Sequence, residues 1–230
     1  MIVSNWGDIN MAEKSIRDRI IETSLRLFEA HGYHRVTVDQ IVKESATSKG
    51  GFYHNFKSKD ELLYTIHDHF ISYVLEKGQE AYELWNTPTE RLHAIIKSFV
   101  MMIDLYKSEV TVFYQESSYL APEYYREIEM KRDRYKELMF QVIQEGMECG
   151  EFRKELPVPI ISMAIFGMVN WIYKWYQKNG RYTIEEIANI YADIILHSAL
   201  TTEAKNNPIF QRFFLQEIDR DLAPLTKDFF

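Results

Sequence analysis

Along most of the chain, apolar residues recur at steps of three and four, and that period predicts helices. Between Ile16 and His31, positions Ile20, Ile21, Ser24, Leu25, Leu27 and Phe28 form one wide stripe, and Gly32 follows as a C-cap. Thr37-Val38-Asp39-Gln40 reads as a capping box, so a short helix is predicted from Val38 to Lys43 or Glu44. Ser45-Ala46-Thr47 breaks it, and a second short helix carries Ser48-Lys49-Gly50-Gly51-Phe52-Tyr53. Ser58-Lys59-Asp60-Glu61 is another box, opening a long amphipathic helix through Leu62, Leu63, Ile66, Phe70, Tyr73 and Val74 towards Trp85.

The later sequence keeps the same style. Thr87-Pro88-Thr89-Glu90 combines a box with Pro at the first helical position and starts a helix through Leu92, Ile95, Ile96, Phe99 and Ile103. Pro122 opens another, with Ile128, Tyr135, Leu138, Met139 and Val142 in step up to Gly146 or Gly150. Pro157 and Pro159 restart the chain, Thr183 caps a helix through Ile187, Tyr191, Ile194, Ile195 and Leu196, and one further helix is predicted from Ile209 to Ile218. The residues up to Met11 read as a loose lead-in. About nine helices and no strand make the predicted fold all-α.

Composition supports this reading, because 9 Gly and 6 Pro in 230 residues leave few turns. A single thiol, Cys149, forms no internal disulfide, which points to a reducing, cytoplasmic setting. The first eleven residues lack the basic and apolar regions of a secretory signal, so export is not expected. The net charge of −7 argues at first against nucleic acid. It is an uneven sum, however: residues 1–60 carry +1 and residues 61–230 carry −8. Arg35, Lys43, Lys49, Lys57 and Lys59 make a small basic tip on an acidic body.

Two short helices with a three-residue break, the second basic and glycine-bearing, form a helix-turn-helix candidate. Gly50 and Gly51 each cost a helix about 1 kcal/mol against Ala but let its backbone approach DNA closely. From Ile20 to Phe28, and through Gly32-Tyr33, Val36-Thr37-Val38, Ile41, Ser48 to Phe56 and Lys57 to Leu63, the sequence resembles the DNA-binding domain of the TetR family of bacterial repressors. It departs at Ile41-Val42 and Ser45-Ala46-Thr47, where the family usually reads Ile-Ala and Ala-Gly-Val. The resemblance implies that Thr37, Tyr53, His54 and Lys59 meet the DNA backbone, and that Ser48, Lys49, Gly50 and Gly51 belong to the helix facing base edges. Lys59 also lies beside a helix N-terminus, where amides and a cation together suit an anion. Phe52 and Phe56 read as core.

Leu156 to Tyr173 is eighteen residues without a charge. Pro157, Pro159, Ser162 and Asn170 within it argue against a membrane span, and a helix apolar all round is one buried on two sides. The resemblance implies a homodimer in which this helix and the one after Thr183 form a four-helix interface, through Ile161, Ile165, Met168, Ile172, Ile187, Tyr191, Ile194 and Ile195. Such symmetry brings two recognition helices to a palindromic site on double-stranded operator DNA.

The middle helices are rich in Tyr, Met and Phe, which suits an adaptable pocket for a hydrophobic small-molecule effector. Glu116 to Leu120, Tyr125-Arg126-Glu127-Ile128, Arg134-Tyr135, Gly150-Glu151-Phe152-Arg153, Asn170-Trp171 and Trp175-Tyr176 resemble a branch of the family containing acyl-CoA-responsive repressors of fatty-acid breakdown. The pocket candidates are Met102, Tyr106, Phe113, Glu116, Tyr119, Tyr135, Phe166, Asn170 and Trp171. Arg126, Lys131, Arg132, Arg134 and Lys136 are enough to meet the phosphates of coenzyme A, or else form a solvated face with neighbouring acids.

Catalytic patterns are sparse. Glu90-Arg91-Leu92-His93 is one Glu-x-x-His, where a helical di-iron centre needs two. His67 and His69 point to different faces of a helix, and no nucleophile elbow, phosphate loop or zinc-protease motif occurs. The expectation is a regulator rather than an enzyme, with no metal and no cofactor beyond an effector such as an acyl-CoA. Its DNA-binding domain spans residues 1–60, and its effector and dimerisation domain spans 61–230. A repressor sensing an aromatic acid or a cationic ligand, with Glu116 facing the cation, is the nearest alternative. A helical metal enzyme is the alternative from another class.

Overall fold

The structure, a computed structural model, describes residues 15–215. The lead-in up to Met11 and the last residues of the helix predicted to reach Ile218 lie outside that range. Among the described residues the chain is all-α, with twelve α-helices and no strand.

The first helix, α1 (Ile16–His31), begins at Ser15, whose Oγ accepts the Asp18 amide, and stops at Gly32, whose φ of 78° a side-chain-bearing residue rarely adopts. A 3-10 turn (Tyr33–Arg35) leads to α2 (Val38–Glu44), α3 (Lys49–Asn55) and the long α4 (Lys59–Leu84). Then follow α5 (Pro88–Leu105), α6 (Lys107–Gln115), a 3-10 turn (Ser117–Tyr119) and α7 (Pro122–Cys149). The chain closes with α8 (Val158–Asn170), α9 (Ile172–Trp175), α10 (Ile184–Ala199), α11 (Thr202–Lys205) and α12 (Pro208–Gln211).

Three expectations are corrected. A separate helix, α6, follows the break at Tyr106, which carries no Gly or Pro to announce it. The uncharged stretch from Leu156 to Tyr173 is not one helix: α8 ends at Asn170 and a short α9 starts at Ile172. The last predicted helix ends at Gln211 and gives way to turns.

The chain packs as two units. One comprises the described residues up to Leu75 together with Leu105–Asp133. In it α1 lies against α2, α3 and α6, and Ile20, Leu27, Phe28, Ile41, Phe52, Phe56, Leu62, Leu63 and Ile66 form the core. The other comprises Glu76–Asp104 and the described residues from Arg134 onward, with Leu92, Ile95, Ile96, Val142, Ile143, Phe152, Ala188 and Leu196 buried. Here the Phe152 ring rests on Gly146, where a Cβ would come within 2.2 Å of it; α7 passes through this glycine to Cys149, and Gly150 follows at φ 84°. Thr87 and Glu90 form both halves of their capping box, at 3.2 and 3.1 Å, as do Thr183 and Glu186.

Candidate nucleic-acid interface and effector region

In the first unit, the Thr37 hydroxyl accepts the Gln40 amide at 3.2 Å, starting α2. Gln40 reaches forward to Glu44 (3.3 Å) instead of completing the box. The turn passes through Ala46 at φ 51°, the one left-handed non-glycine residue among those described. A β-carbon there is unfavourable, and this is the place where the family pattern has Gly. Ser48 then caps α3, its Oγ 3.0 Å from the Gly51 amide.

The resulting surface exposes Thr37, Ser48, Lys49, Gly50, Tyr53 and His54 together, while Phe52 and Phe56 are core. Tyr53 is 53% exposed and stands edge-on to Phe52, at 5.3 Å between ring centres. Lys49 bridges the two helices through Asp39 at 2.8 Å; this bond raises the lysine above its ordinary range and keeps it charged. Both side chains are well exposed, so the pair is weak and free to exchange for phosphate. The two glycines differ. A Cβ on Gly50 would meet nothing nearer than Ser48 Oγ at 3.7 Å, so no internal contact demands glycine. A Cβ on Gly51 would come 2.6 Å from Thr47 Oγ1, so any side chain there makes the Thr47 hydroxyl shift.

Lys59 is turned inward. Its ammonium donates to the carbonyls of Tyr33 (2.9 Å) and Val36 (2.8 Å) and lies 4.0 Å from the centre of the Tyr33 ring. Burial lowers its pKa. The Tyr33 hydroxyl donates to Asp60 at 2.5 Å, and burial followed by that bond raises the phenol. Lys59 therefore fastens the turn before α2 to the start of α4. Capping spacing reveals the helix start but not this long-range bond.

The effector candidates separate. Tyr106, Phe113, Glu116 and Tyr119 belong to the first unit; Met102, Tyr135, Phe166, Asn170 and Trp171 belong to the second. Tyr106, Phe113, Met102 and Tyr135 are buried, with Phe113 4.6 Å from Phe70, Tyr106 4.9 Å from Tyr73, and Tyr135 5.8 Å from Phe166. Tyr119 is exposed, stacked on Tyr33 at 5.8 Å and edge-on to His34 at 4.4 Å. It packs on the 3-10 turn that precedes α2. Buried Glu116 lies 3.8 Å from the Cβ position of Gly32, at the end of α1. Of the five cations on α7, Lys131 is bonded to Asp68 and to Ser72, and Arg132 stacks on Phe113. The second unit also has a surface cleft of about 410 Å³, lined by Met147, Lys154, Leu156 and Pro157 among others; none of the named candidates lines it.

The interface residues need correction. Ile161, Ile165, Ile172, Ile187 and Ile195 are buried within the chain, so they are core and unavailable to a partner. Ile194 is exposed, and Met168 and Tyr191 are half-buried. The free apolar face of α8 is one residue out of register, at Ile160 (67% exposed), Met163, Ala164, Gly167 and Trp171 (62% exposed).

Glu90 and His93 face different tasks: Glu90 caps α5 and pairs with Arg212 at 2.7 Å, while His93 packs on Phe213. No cluster of three metal-ligating side chains occurs among the described residues. No helix among them is long and apolar enough to cross a membrane.

Comparison with known proteins bears on the whole arrangement. The chain is 24% identical over 192 residues to the HTH-type transcriptional repressor KstR2 of Mycobacterium tuberculosis, covering 83% of this chain and 94% of that one. The solved structure of that ketosteroid transcriptional regulator superposes with a TM-score of 0.78 at 23% identity, over 86% of this chain and 100% of its own. The fatty acid metabolism regulator protein of Bacillus subtilis is 22% identical over 179 residues, 77% of this chain and 92% of that protein. AibR, solved in complex with isovaleryl coenzyme A and operator DNA, gives a TM-score of 0.71 at 24% identity, over 78% of this chain and 97% of its own. Residues 86–199 match the tetracyclin repressor-like C-terminal domain, and residues 20–70 match the bacterial regulatory proteins of the tetR family. With both halves matched in order around a capped helix-turn-helix, the chain belongs to the TetR family of transcriptional regulators.

Proposed function

We propose that this protein is a homodimeric transcriptional repressor that binds double-stranded, palindromic operator DNA and is released by a hydrophobic effector of the acyl-CoA class. The observation that carries the DNA reading is the shared exposure of Lys49, Gly50, Tyr53 and His54 on a helix capped and braced from behind. In this reading α3 enters the major groove, Gly50 brings the backbone to base edges, and Tyr53 and His54 reach phosphates. Thr37 and Ser48 contribute as caps that fix helix direction. The exposed apolar face of α8, with Ile194 of α10, forms the dimer contact. The acidic remainder of the chain discourages non-specific DNA binding. A DNA-binding regulator of this kind works in the cytoplasm.

The effector reading is supported by the aromatic interior around Phe113 and Tyr106 and by the isovaleryl coenzyme A bound to the structural neighbour AibR. Effector binding shifts α4, which contributes to both packing units, and so changes the spacing of the recognition helices. By linkage, operator DNA weakens effector binding by the same factor. The test is a gel-shift titration on DNA flanking the protein's own gene, with and without decanoyl-CoA. Release by decanoyl-CoA supports the acyl-CoA reading. Binding that decanoyl-CoA leaves unchanged removes that reading and leaves the DNA-binding one.

A further inference from the structure

His67 of α4 has no exposed surface. Its Nδ1 lies 3.0 Å from the Leu63 carbonyl, an acceptor; in the tautomer that satisfies this carbonyl, Nδ1 carries the proton and Nε2 is a bare lone pair. No hydrogen-bond partner meets that Nε2. Burial lowers the imidazole to about 4 and keeps it neutral at physiological pH; the backbones of Leu63 and Phe113 push it back up by less, and Arg132 adds a small lowering. A buried acceptor without a donor is costly and asks for an explanation.

Arg132 of α7 acts on it through space. The guanidinium carbon lies 4.3 Å from the centre of the Phe113 ring, and that ring is 5.2 Å from the His67 imidazole. Burial depresses the arginine, and Tyr114, Tyr125 and the Glu129 carboxylate act on it through space in the opposite sense. The adjacent Lys131 is taken up by Asp68 and Ser72, whereas none of the ion pairs among the described residues uses Arg132. One ring is thus flanked by a donor fork lacking an anion and an acceptor lacking a donor, and its other side meets Phe70 at 4.6 Å.

We propose that His67, Phe113 and Arg132 form the polar head of a ligand site for hydroxylated organic acids or their esters. The Arg132 fork takes the acyl oxygens, His67 Nε2 accepts from a hydroxyl or N–H one or two bonds away, and the hydrocarbon runs along Phe113 and Phe70. Arg132, half-buried, is the group that moves to admit the ligand. The proposal deepens the effector reading and rests on it, but it concerns the acyl end and needs no coenzyme A.

The test is calorimetric titration of the full-length dimer with decanoate and 3-hydroxydecanoate, in the wild type, Arg132→Ala and His67→Phe. Operator binding by each variant serves as the check on folding. The expected result is about tenfold tighter binding of the hydroxy acid by the wild type, preference lost in His67→Phe, and both acids weakened at least tenfold in Arg132→Ala. Equal affinity of the two acids for the wild type, or undiminished binding by Arg132→Ala, overturns it. If His67→Phe does not fold, the ¹⁵N shift of His67 Nε2 in the wild type decides. A change on adding 3-hydroxydecanoate but not decanoate supports the site, and no change with either overturns it. Failure of decanoyl-CoA to release DNA tells against the acyl-CoA effector alone, because the free-acid titrations contain neither.

Discussion

Lys59 and Tyr33 are joined twice: the ammonium donates to the Tyr33 carbonyl at 2.9 Å and lies 4.0 Å from the centre of its ring. A cation so engaged positions the DNA-binding helices without spending its charge on phosphate. Lys59→Met is therefore expected to lower unfolding free energy by about 1–3 kcal/mol, since two carbonyls lose a charged donor. It should weaken operator binding with an unchanged salt slope. A direct phosphate contact would lower the slope by about one, so fluorescence anisotropy across salt concentrations distinguishes the two roles.

The two adjacent glycines should part company. Gly50→Ala adds helix propensity and meets no neighbour closer than 3.7 Å. It is expected to stabilise the fold by about 0.5–1 kcal/mol while reducing operator affinity about tenfold or more. Gly51→Ala presses on Thr47 Oγ1 and is expected to gain no stability. Thermal melts and anisotropy on the same samples check both.

Glu109 supplies a pH dependence. Burial, with smaller pushes from Glu22 and Glu29, raises its carboxyl to about 7. In the unfolded chain it ionises near 4.5, so folding stability falls as pH rises from about 4.5 to about 7 and stays lowered above that. Glu109→Gln is expected to remove this slope and to be more stable than wild type at pH 8, by an amount on the order of 2–3 kcal/mol. Urea unfolding of the two proteins at pH 5 and pH 8 measures it. The neutral His67, lowered to about 4, acts in the opposite sense below pH 6.5 and cancels in the comparison.

In the proposed dimer, the exposed apolar positions of α8 and α10 predict which substitutions separate the subunits. Ile194→Asp or Gly167→Arg falls on exposed positions and should give a folded monomer by sedimentation, with operator binding weakened at least a hundredfold. Ile165→Asp falls in the core and should lower the melting temperature instead.

Much of this was legible in the sequence where a local rule decides the outcome. Thr37, Ser58, Thr87 and Thr183 sit at or next to helix starts, and the stripe of α1 matches its buried residues, whereas in α10 Ile187, Ile195 and Leu196 are buried but Ile194 is exposed. What failed depends on distant partners. Period assigns Ile160 and Ile161 to neighbouring faces but does not say which of them the rest of the chain covers; Ile161 is buried and Ile160 exposed. Tyr119 and Phe113 are both aromatic residues of one short stretch, yet one braces Tyr33 and the other lies in the interior. Residue type does not separate a pocket wall from a core. The turn at Ala46 was legible as a break, but its left-handed backbone was not, because Gly usually marks that conformation.

The central claim is sequence-specific operator binding through α3. Its most direct test is selection by the full-length protein from a pool of random DNA duplexes at physiological salt, repeated with Tyr53→Ala and with Lys49→Ala. The account predicts enrichment of one inverted repeat by the wild type and its loss or marked weakening in both variants. Sequences no different from the starting pool, or equal enrichment by the variants, would contradict it.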